Sequence, residues 1–562
     1  MADCGVTGSS GDCVHTCPFP ESHFTMLEQE IKMYVPPASR RAVAAEMDKP
    51  APAERIRLRA QYFDTPDRQL ARRYAAIRLR LEGRRWVQTF KMAGSDAMSR
   101  VEINHARPRP ELDLSVYAGT PAEAVIAGLD ADLIMRYETD VRRMRRQVRV
   151  RTGVVELAYD VGHIRAGTLE KPLYELEIER VSGRVESIFT CADRWLRAHA
   201  LVIDMRSKSE RGDALAGIAL AVADAPADRR DAVLQKGLAN VAQPRFQGAV
   251  ELDKHGDATA ALDVVTHECL DQIARNAALA AGIDVPAGHD VETEAVHQLR
   301  VGIRRLRSAW KLFDGWTPLP EGTLQDGARE QFGALGVARD ADVLAGTVLP
   351  QLAEAGMPPL PDSTSEAVDV TTLAGGVPFQ RWLLAMSAWA SGVRAQPKLP
   401  PAISGRTAIR VSAAAPAPVP APVEEVELPA PKGPKLTPLL AKRLHKWHAR
   451  VAADAKRIGE LDDEARHTLR KRAKRLRYGI SLSESLLPGK RVKDYRKRLA
   501  AFQDVLGEVN DLVVARDRLA SMRDEHPQAW FGMGWITLRL EALLADAKRA
   551  AKVLAAAKPF WK

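Results

Sequence analysis

The sequence predicts an α+β chain: an N-terminal antiparallel β-barrel tunnel with flanking helices, followed by an all-α duplicated helical bundle. Three observations point there. From residue 26 to about 213, short segments alternate charged and apolar side chains with a period of two. From about residue 255 onward the apolar spacing becomes helical. A pair of sequence blocks then recurs in the same order within the helical region, which is the mark of an internal duplication.

The strand-like segments are LEQEIKMYV, RIRLRAQYFDT, AIRLRLE, RWVQTFKM, RVEINH, RRQVRVR, VVELAYDV and YELEIERV. In an ordinary half-buried strand the charged parity faces water. Here nearly every strand has a charged parity, with the signs mixed between strands. A barrel with a polar interior accommodates that pattern. PAEAVIAGL and residues 184–199 read as helices covering the outside. Residues 214–254 are rich in Ala and Asp and read as a linker.

The helical region is predicted over 255–530, with 531–562 as a C-terminal helix. A Pro/Ala-rich stretch at about 400–436 has no composition for a core and divides this region into halves. The first half carries EAVHQLRVGIRRLRSAWKLF and the second EARHTLRKRAKRLRYGISL; LGVARDADVL and LGEVNDLVVA follow them. On a helix, Leu299, Ile303, Leu306, Trp310 and Phe313 form an apolar stripe. His297, Arg300, Arg304, Arg307 and Lys311 form a basic stripe beside it. The second repeat sets Leu469, Ala473, Leu476 and Ile480 beside His467, Arg470, Lys474 and Arg477. No acidic residue interrupts either basic stripe, although Glu at i±4 ordinarily relieves such repulsion.

Composition bounds the reading. The chain has 562 residues, 27% charged and 46% hydrophobic, with a formal net charge of +10. That excess suits a polyanionic partner: polyphosphate, nucleic acid or an acidic membrane surface. The five cysteines make neither a zinc spacing nor a disulfide framework, which suits a reducing cytoplasm. No apolar run is long enough to span a bilayer, so no membrane partner is expected. Residues 1–25 lack the features of a secretory signal and read as a disordered extension, with Met26 as the expected start. Aromatics are 6% and do not interleave the basic stripes, so nucleic acid ranks below phosphate chains as a partner.

Glu28, Glu30 and Lys32 share one face of a strand, as do Arg78 with Arg80, Thr89 with Lys91, Arg100 with Glu102, and Glu175 with Glu177 and Glu179. A triphosphate needs this mixture. Arg and Lys hold its non-bridging oxygens, and carboxylates hold Mg²⁺ or Mn²⁺. Facing inward, such residues would serve attack of water on the terminal phosphorus.

These residues resemble the CYTH domain, the triphosphate tunnel metalloenzyme fold. EQEIK matches its ExExK signature. YFDTPD, AIRLR, WVQTFK, ETDVRR, ELAYDVG, YELEIE and KSERG follow in family order over about 26–213. The resemblance implies a metal set of Glu28, Glu30, Glu175 and Glu177, with Glu177 and Glu179 as the alternative second pair. It implies Arg78, Arg80, Lys91, Arg143 and Lys208 as phosphate ligands. Lys32 and Asp160 would stand at the reacting end. Arg142 competes with Arg143, and strand parity favours Arg143.

The helical region resembles the CHAD domain over about 255–530. That family is associated with binding inorganic polyphosphate, which implies a phosphate-binding role for His297, Arg300, Arg304, Arg307, His467, Arg470, Lys474 and Arg477. Arg339-Asp340 and Asn510-Asp511 fall in its second motif, where helix–helix bonding is as good a reading as ligand contact. The combined expectation is a cytoplasmic inorganic triphosphatase that uses Mg²⁺ or Mn²⁺ and associates with polyphosphate granules. Competing readings are thiamine triphosphate hydrolysis, cyclisation of ATP in the same tunnel, and a non-catalytic granule-binding protein.

Overall fold

The computed structural model describes residues 24–94, 98–286, 293–360, 369–393, 435–557, 559 and 561, without the side chains of 24–27, 338, 339 and 342. Residues 1–23 of the expected N-terminal extension, with Cys4, Cys13 and Cys17, and most of the Pro/Ala-rich stretch lie outside the described residues, while Phe24 and Thr25, expected in that extension, already belong to the first strand.

Among the described residues, nine strands form one antiparallel sheet: β1 (Phe24–Tyr34), β2 (Glu54–Asp64), β3 (Ala75–Glu82), β4 (Arg85–Ala93), β5 (Ser99–Arg107), β6 (Ile134–Val150), β7 (Gly153–Ala166), β8 (Leu169–Gly183) and β9 (Val202–Ile203). Their order is β5-β4-β3-β2-β6-β7-β8-β1-β9, and β1 also pairs with β5. That extra pairing closes an eight-stranded barrel, with β9 outside the ring. β1 divides its length: Phe24–Gln29 pair with β5, and Glu30–Tyr34 pair with β8.

Alternation turns this closure into a polar tunnel. On β1, Ile31 and Met33 are buried in the core outside the barrel, while Glu30 and Lys32 face in. On β3, Ile77 joins an outer cluster with Phe90 and Ile103, while Arg78 and Arg80 face in. The sequence expectation reverses on β2. There Arg57 faces out to Asp140, with bonds of 3.0 and 2.7 Å, and Leu58, Ala60 and Tyr62 line the tunnel. A paired charge on the outer face leaves the apolar parity to the interior.

The barrel's helices are α1 (Arg40–Met47), α2 (Gln69–Arg72), α3 (Glu123–Ala127) and α4 (Glu186–His199). The last two fall within the stretches expected as helical. Residues 214–254, expected as a linker, are largely helical: α5 (Lys208–Asp224) is followed by α6 (Arg230–Val241). Ser207 starts α5 by accepting the Glu210 N–H. Gly212 lets α5 approach β6 closely, because a Cβ there would stand 2.2 Å from the Tyr137 ring.

The remaining helices are α7 (Ala258–Ala280), α8 (Thr293–Phe313), α9 (Gly322–Val343), α10 (Leu349–Glu354), α11 (Val370–Gly375), α12 (Val377–Ala390), α13 (Leu436–Lys456), α14 (Asp463–Leu482), α15 (Gly489–Met522) and α16 (Ala529–Ala555). The two basic helices of the repeat are α8 and α14. Their apolar stripes are buried as the spacing predicts. Barrel and bundle share one core. It runs from Ile31 and Ile178 through Trp195 of α4 into Ile273 of α7, Leu299 of α8 and Leu383 of α12. Gln380 of α12 accepts the edge N–H of Ile203 on β9 at 2.9 Å. Among the described residues, no helix is long and apolar enough to cross a membrane.

Tyr137 stacks on Tyr62, with centroids 4.7 Å apart, so crowding at Gly212 reaches the tunnel wall. Gly212→Ala should therefore lower stability by about 1–3 kcal/mol, read as a drop in the midpoint of denaturant unfolding. An unchanged midpoint would mean that α5 is not held against Tyr137.

Candidate functional site

The tunnel encloses a cavity of about 840 Å³. It gathers Glu28, Glu30, Lys32, Arg78, Arg80, Lys91, Arg143, Asp160, Glu177 and Lys208 from β1, β3, β4, β6, β7, β8 and α5. Arg143 rather than Arg142 points inward. Glu175 stands behind this lining, 2% exposed, and is held by Lys208 and Arg211.

One half of the tunnel is electrically satisfied. Arg143 bonds Asp160 through both Nε and Nη2 at 2.7 Å, and its Nη2 also reaches Glu177 at 2.5 Å. Lys208 Nζ touches Asp160 at 2.9 Å, Glu175 at 2.5 Å and Glu177 at 2.7 Å. Lys32 Nζ lies 2.9 Å from Glu177 and 2.6 Å from Glu30. Burial alone would raise the carboxyls of Asp160 and Glu177. Arg143 and Lys208 instead hold Asp160 low; Lys208, Lys32 and Arg143 hold Glu177 well below the usual range. Asp160, Glu175 and Glu177 bring ligand oxygens within 4.8 Å of one another, a spacing that would suit a cation. Lys32, Lys208, Arg143 and Arg211 pair with them, so a cation there would have to displace one or more of these partners.

The other end is different. The register sets Glu30 opposite Glu179, and Lys32 opposite Glu177. Glu28, Glu30 and Glu179 all line the cavity there. Burial pushes Glu28 up to about 7 against the pull of Lys91, with Glu30 and Glu102 adding to the rise. Burial pushes Glu179 up to about 8, with Glu28 and Glu30 adding. Carboxylates that resist ionising beside one another would be relieved by a divalent cation, although Lys91 already pairs with Glu28 and Lys32 with Glu30. Sequence alone leaves Glu175/Glu177 and Glu177/Glu179 open; the register puts Glu179 beside the β1 pair.

Between the two lies a cationic wall. Lys91 Nζ holds Glu28 at 2.7 Å and Glu102 at 2.5 Å. Burial lowers the proton affinity of Arg80, and Arg78 and Arg143 lower it further while Glu82 opposes them. Arg78 donates to Tyr62 Oη at 3.3 Å. Burial would raise that phenol, but Arg78, with Lys208 and Arg80 behind it, brings it below its ordinary value. Sequence alone assigns no role to Tyr62 or Arg211, and gives Glu102 no definite one. Parity with Arg100 signals Glu102. Tyr62 lies on the apolar parity of the strand-like segment RIRLRAQYFDT, which carries no signal for a tunnel role.

The basic stripes of α8 and α14 meet. Arg300, Arg304 and Arg307 set their guanidiniums over the Phe332 ring of α9, at 4.8, 5.0 and 5.4 Å. Arg300 Nη1 also donates to the Leu335 and Gly336 carbonyls at 3.3 Å. His297 is half-buried on α8. On α14, His467 Nδ1 lies 2.6 Å from Asn510 Oδ1, and Arg470 lies 3.6 Å from Asp511. Asn510 and Asp511 therefore hold one helix to another, and the side chain of Arg339 lies outside the described residues. Arg477 lies over the Tyr478 ring at 5.3 Å. Burial, then Arg304, Arg470 and Arg477, push Lys474 down to about 6. An arginine of one repeat thus raises the charge density at a lysine of the other, and the two stripes form one seam.

Residues 26–212 match the CYTH domain family, and residues 265–520 match the CHAD domain family. An inorganic triphosphatase of Haemophilus influenzae is 30% identical over 158 residues, 27% of this chain and 44% of that protein. The chain thus spans less than half the length of that curated relative. The CHAD domain from the plant Ricinus communis is 26% identical with a TM-score of 0.43, covering 56% of this chain and 98% of that structure. A putative adenylyl cyclase from Hippeastrum, described as having a dominant triphosphatase activity, is 16% identical with a TM-score of 0.23, covering 38% and 96%.

Glu28 at about 7 and Glu179 at about 8 carry protons below those values. A cation binding between them must displace those protons. Mn²⁺ affinity should rise with pH and level off above about 8, and binding below pH 7 should release protons. Calorimetry in two buffers of different ionisation enthalpy reads this directly. Heats that do not depend on the buffer would remove the cation from this end.

Proposed function

We propose, from the premise that this chain joins a CYTH domain to a CHAD domain, that the barrel hydrolyses inorganic triphosphate with a divalent metal and the bundle binds polyphosphate. The observation that carries the reading is the sorting of tunnel charge. A crowded carboxylate end adjoins a cationic wall, as a metal-complexed phosphate chain requires.

In this reading Glu28, Glu30 and Glu179 hold the metal. When bound, Mg²⁺ or Mn²⁺ supplies Lewis-acid neutralisation of phosphate oxygens. Arg78, Arg80 and Lys91 hold the non-bridging oxygens, and the guanidiniums take up charge as the diphosphate leaves. Arg143, Lys32 and Lys208 complete the cationic wall. Asp160 works through Arg143 and Lys208, fixing the direction of both. Tyr62 Oη offers a hydrogen-bonding oxygen beside Arg78. Water adds to the terminal phosphorus, and the products are phosphate and diphosphate. The H. influenzae relative supports inorganic triphosphate as the substrate, and the basic seam supports phosphate chains as ligands of the bundle. Polyphosphate binding would bring a cytoplasmic chain onto polyphosphate granules.

The barrel is tested with tripolyphosphate, longer polyphosphate, thiamine triphosphate and ATP, each with Mg²⁺ and Mn²⁺. Tripolyphosphate should be hydrolysed fastest. Glu28→Ala with Glu30→Ala should reduce metal-dependent phosphate release by about 100-fold or more. Release that survives this change contradicts the tunnel assignment.

The seam is tested by charge reversal at Arg300, Arg304, Arg470 and Lys474. Polyphosphate binding should weaken at least about tenfold, while hydrolysis of tripolyphosphate stays within twofold. Unchanged binding contradicts the seam.

A further inference from the structure

Asp284 belongs to the bundle, in the turn after α7, yet its carboxylate is spent on the barrel. Its backbone is left-handed, with φ at 67°, which Asp tolerates better than most side chains. Lys171 of β8 places Nζ 2.8 Å from Oδ1, and Arg206 places Nη1 3.1 Å from Oδ2. Ala278 and Ile283, on the N-terminal side of Asp284, pack on Val202 of β9, which fixes the turn against the sheet.

From Asp284 a buried chain of alternating charge leads into the tunnel. Arg206 grips Asp204 through Nε and Nη2, both at 2.8 Å. Asp204 is 3% exposed, and its backbone N–H donates to the Lys32 carbonyl at 3.1 Å. Arg211 of α5 is 7% exposed; burial works against its charge, and Glu175, then Asp204 and Asp284, outweigh that cost. It pairs directly with Glu175. Glu175 in turn holds Lys208, whose Nζ touches Asp160 and Glu177. Another ion pair between barrel and bundle, Arg381 with Asp193 at 2.7 Å, is partly exposed, and neither residue lines the tunnel.

We propose that Asp284 is a positioning residue for the barrel site, contributed by the bundle, which sets the place of Lys208 through Arg206, Asp204, Arg211 and Glu175. The proposal rests on the reading of the tunnel as a triphosphate site. Low-dielectric surroundings make each pair sensitive to the next. Without the Asp284 charge, Lys171 loses its ion pair and Arg206 is left with Asp204 alone. Arg211 then has less support from that side, leans on Glu175 and draws it from Lys208. The bundle therefore tunes how tightly the tunnel holds triphosphate, with no ligand of its own involved.

The test uses the full chain and Asp284→Asn, which keeps size and tolerates the left-handed backbone. The Kd for tripolyphosphate, read by calorimetry, should weaken about five- to tenfold, with KM rising in step and kcat within twofold. Arg206→Lys keeps the charge but loses the fork that bridges Asp204 and Asp284. It should give a similar loss, and it keeps the test decisive if Asp284→Asn impairs folding. Arg381→Gln should leave Kd unchanged. A Kd within twofold of the unaltered chain in both relay variants overturns the proposal. So does an equal loss in Arg381→Gln, which would mean that domain docking in general is being read. Hydrolysis by the unaltered chain tests the function of the barrel, whereas the ratio of Kd values tests Asp284.

Discussion

Closure of the barrel through β1 is the constraint on which the rest depends. One strand must satisfy β5 with its first half and β8 with its second, and it carries Glu28, Glu30 and Lys32 on its inner parity. Once the ring is closed, those charges are held out of bulk water by the backbone rather than by choice of rotamer. Isolated buried charge is costly, and only pairing, a shifted proton equilibrium or a ligand relieves it. The tunnel uses pairing at one end, and at the other leaves Glu28 and Glu179 with raised pKa values.

The two halves of the chain share this device with opposite sign. In the barrel, crowded carboxylates hold protons that a cation would replace. In the bundle, burial, with Arg304, Arg470 and Arg477 adding to it, leaves the Lys474 proton weakly held, and an anion would restore it. Neither arrangement is the cheapest way to fold. Each is consistent with sites that have given up stability to keep an affinity for a charged ligand. The shared core and the Asp284 relay hold the two halves together, so strain at one is not electrically remote from the other.

Much of this is legible in the sequence because periodicity reports faces. Parity assigns Glu28, Glu30, Lys32, Arg78, Arg80 and Arg143 to one side, and closure makes that side the interior. The apolar stripes at Leu299 and Leu469 are equally plain. What periodicity does not report is register. Glu175, Glu177 and Glu179 share one parity, and only the pairing of Glu30 with Glu179 tells which sits beside the β1 carboxylates. Nor does it report which parity is inside when both are plausible, which is why β2 reads backwards: Arg57 has an outer partner in Asp140. Residues 214–254 read as a linker because Ala and Asp carry little amphipathic signal, yet α5 is fixed by tertiary packing on β6 and β7. The meeting of α8 with α14 across the Pro/Ala-rich stretch is a long-range contact that no local pattern encodes.

The proposed metal end of the tunnel is Glu28, Glu30 and Glu179 rather than the tighter cluster of Asp160, Glu175 and Glu177. Anomalous diffraction from crystals of the full chain grown with Mn²⁺ and tripolyphosphate locates the metal without reference to activity. The expected result is a manganese peak bounded by Glu28, Glu30 and Glu179, with the phosphate chain extending along Arg78 and Arg80. A peak among Asp160, Glu175 and Glu177, with Lys208 displaced from them, would contradict it.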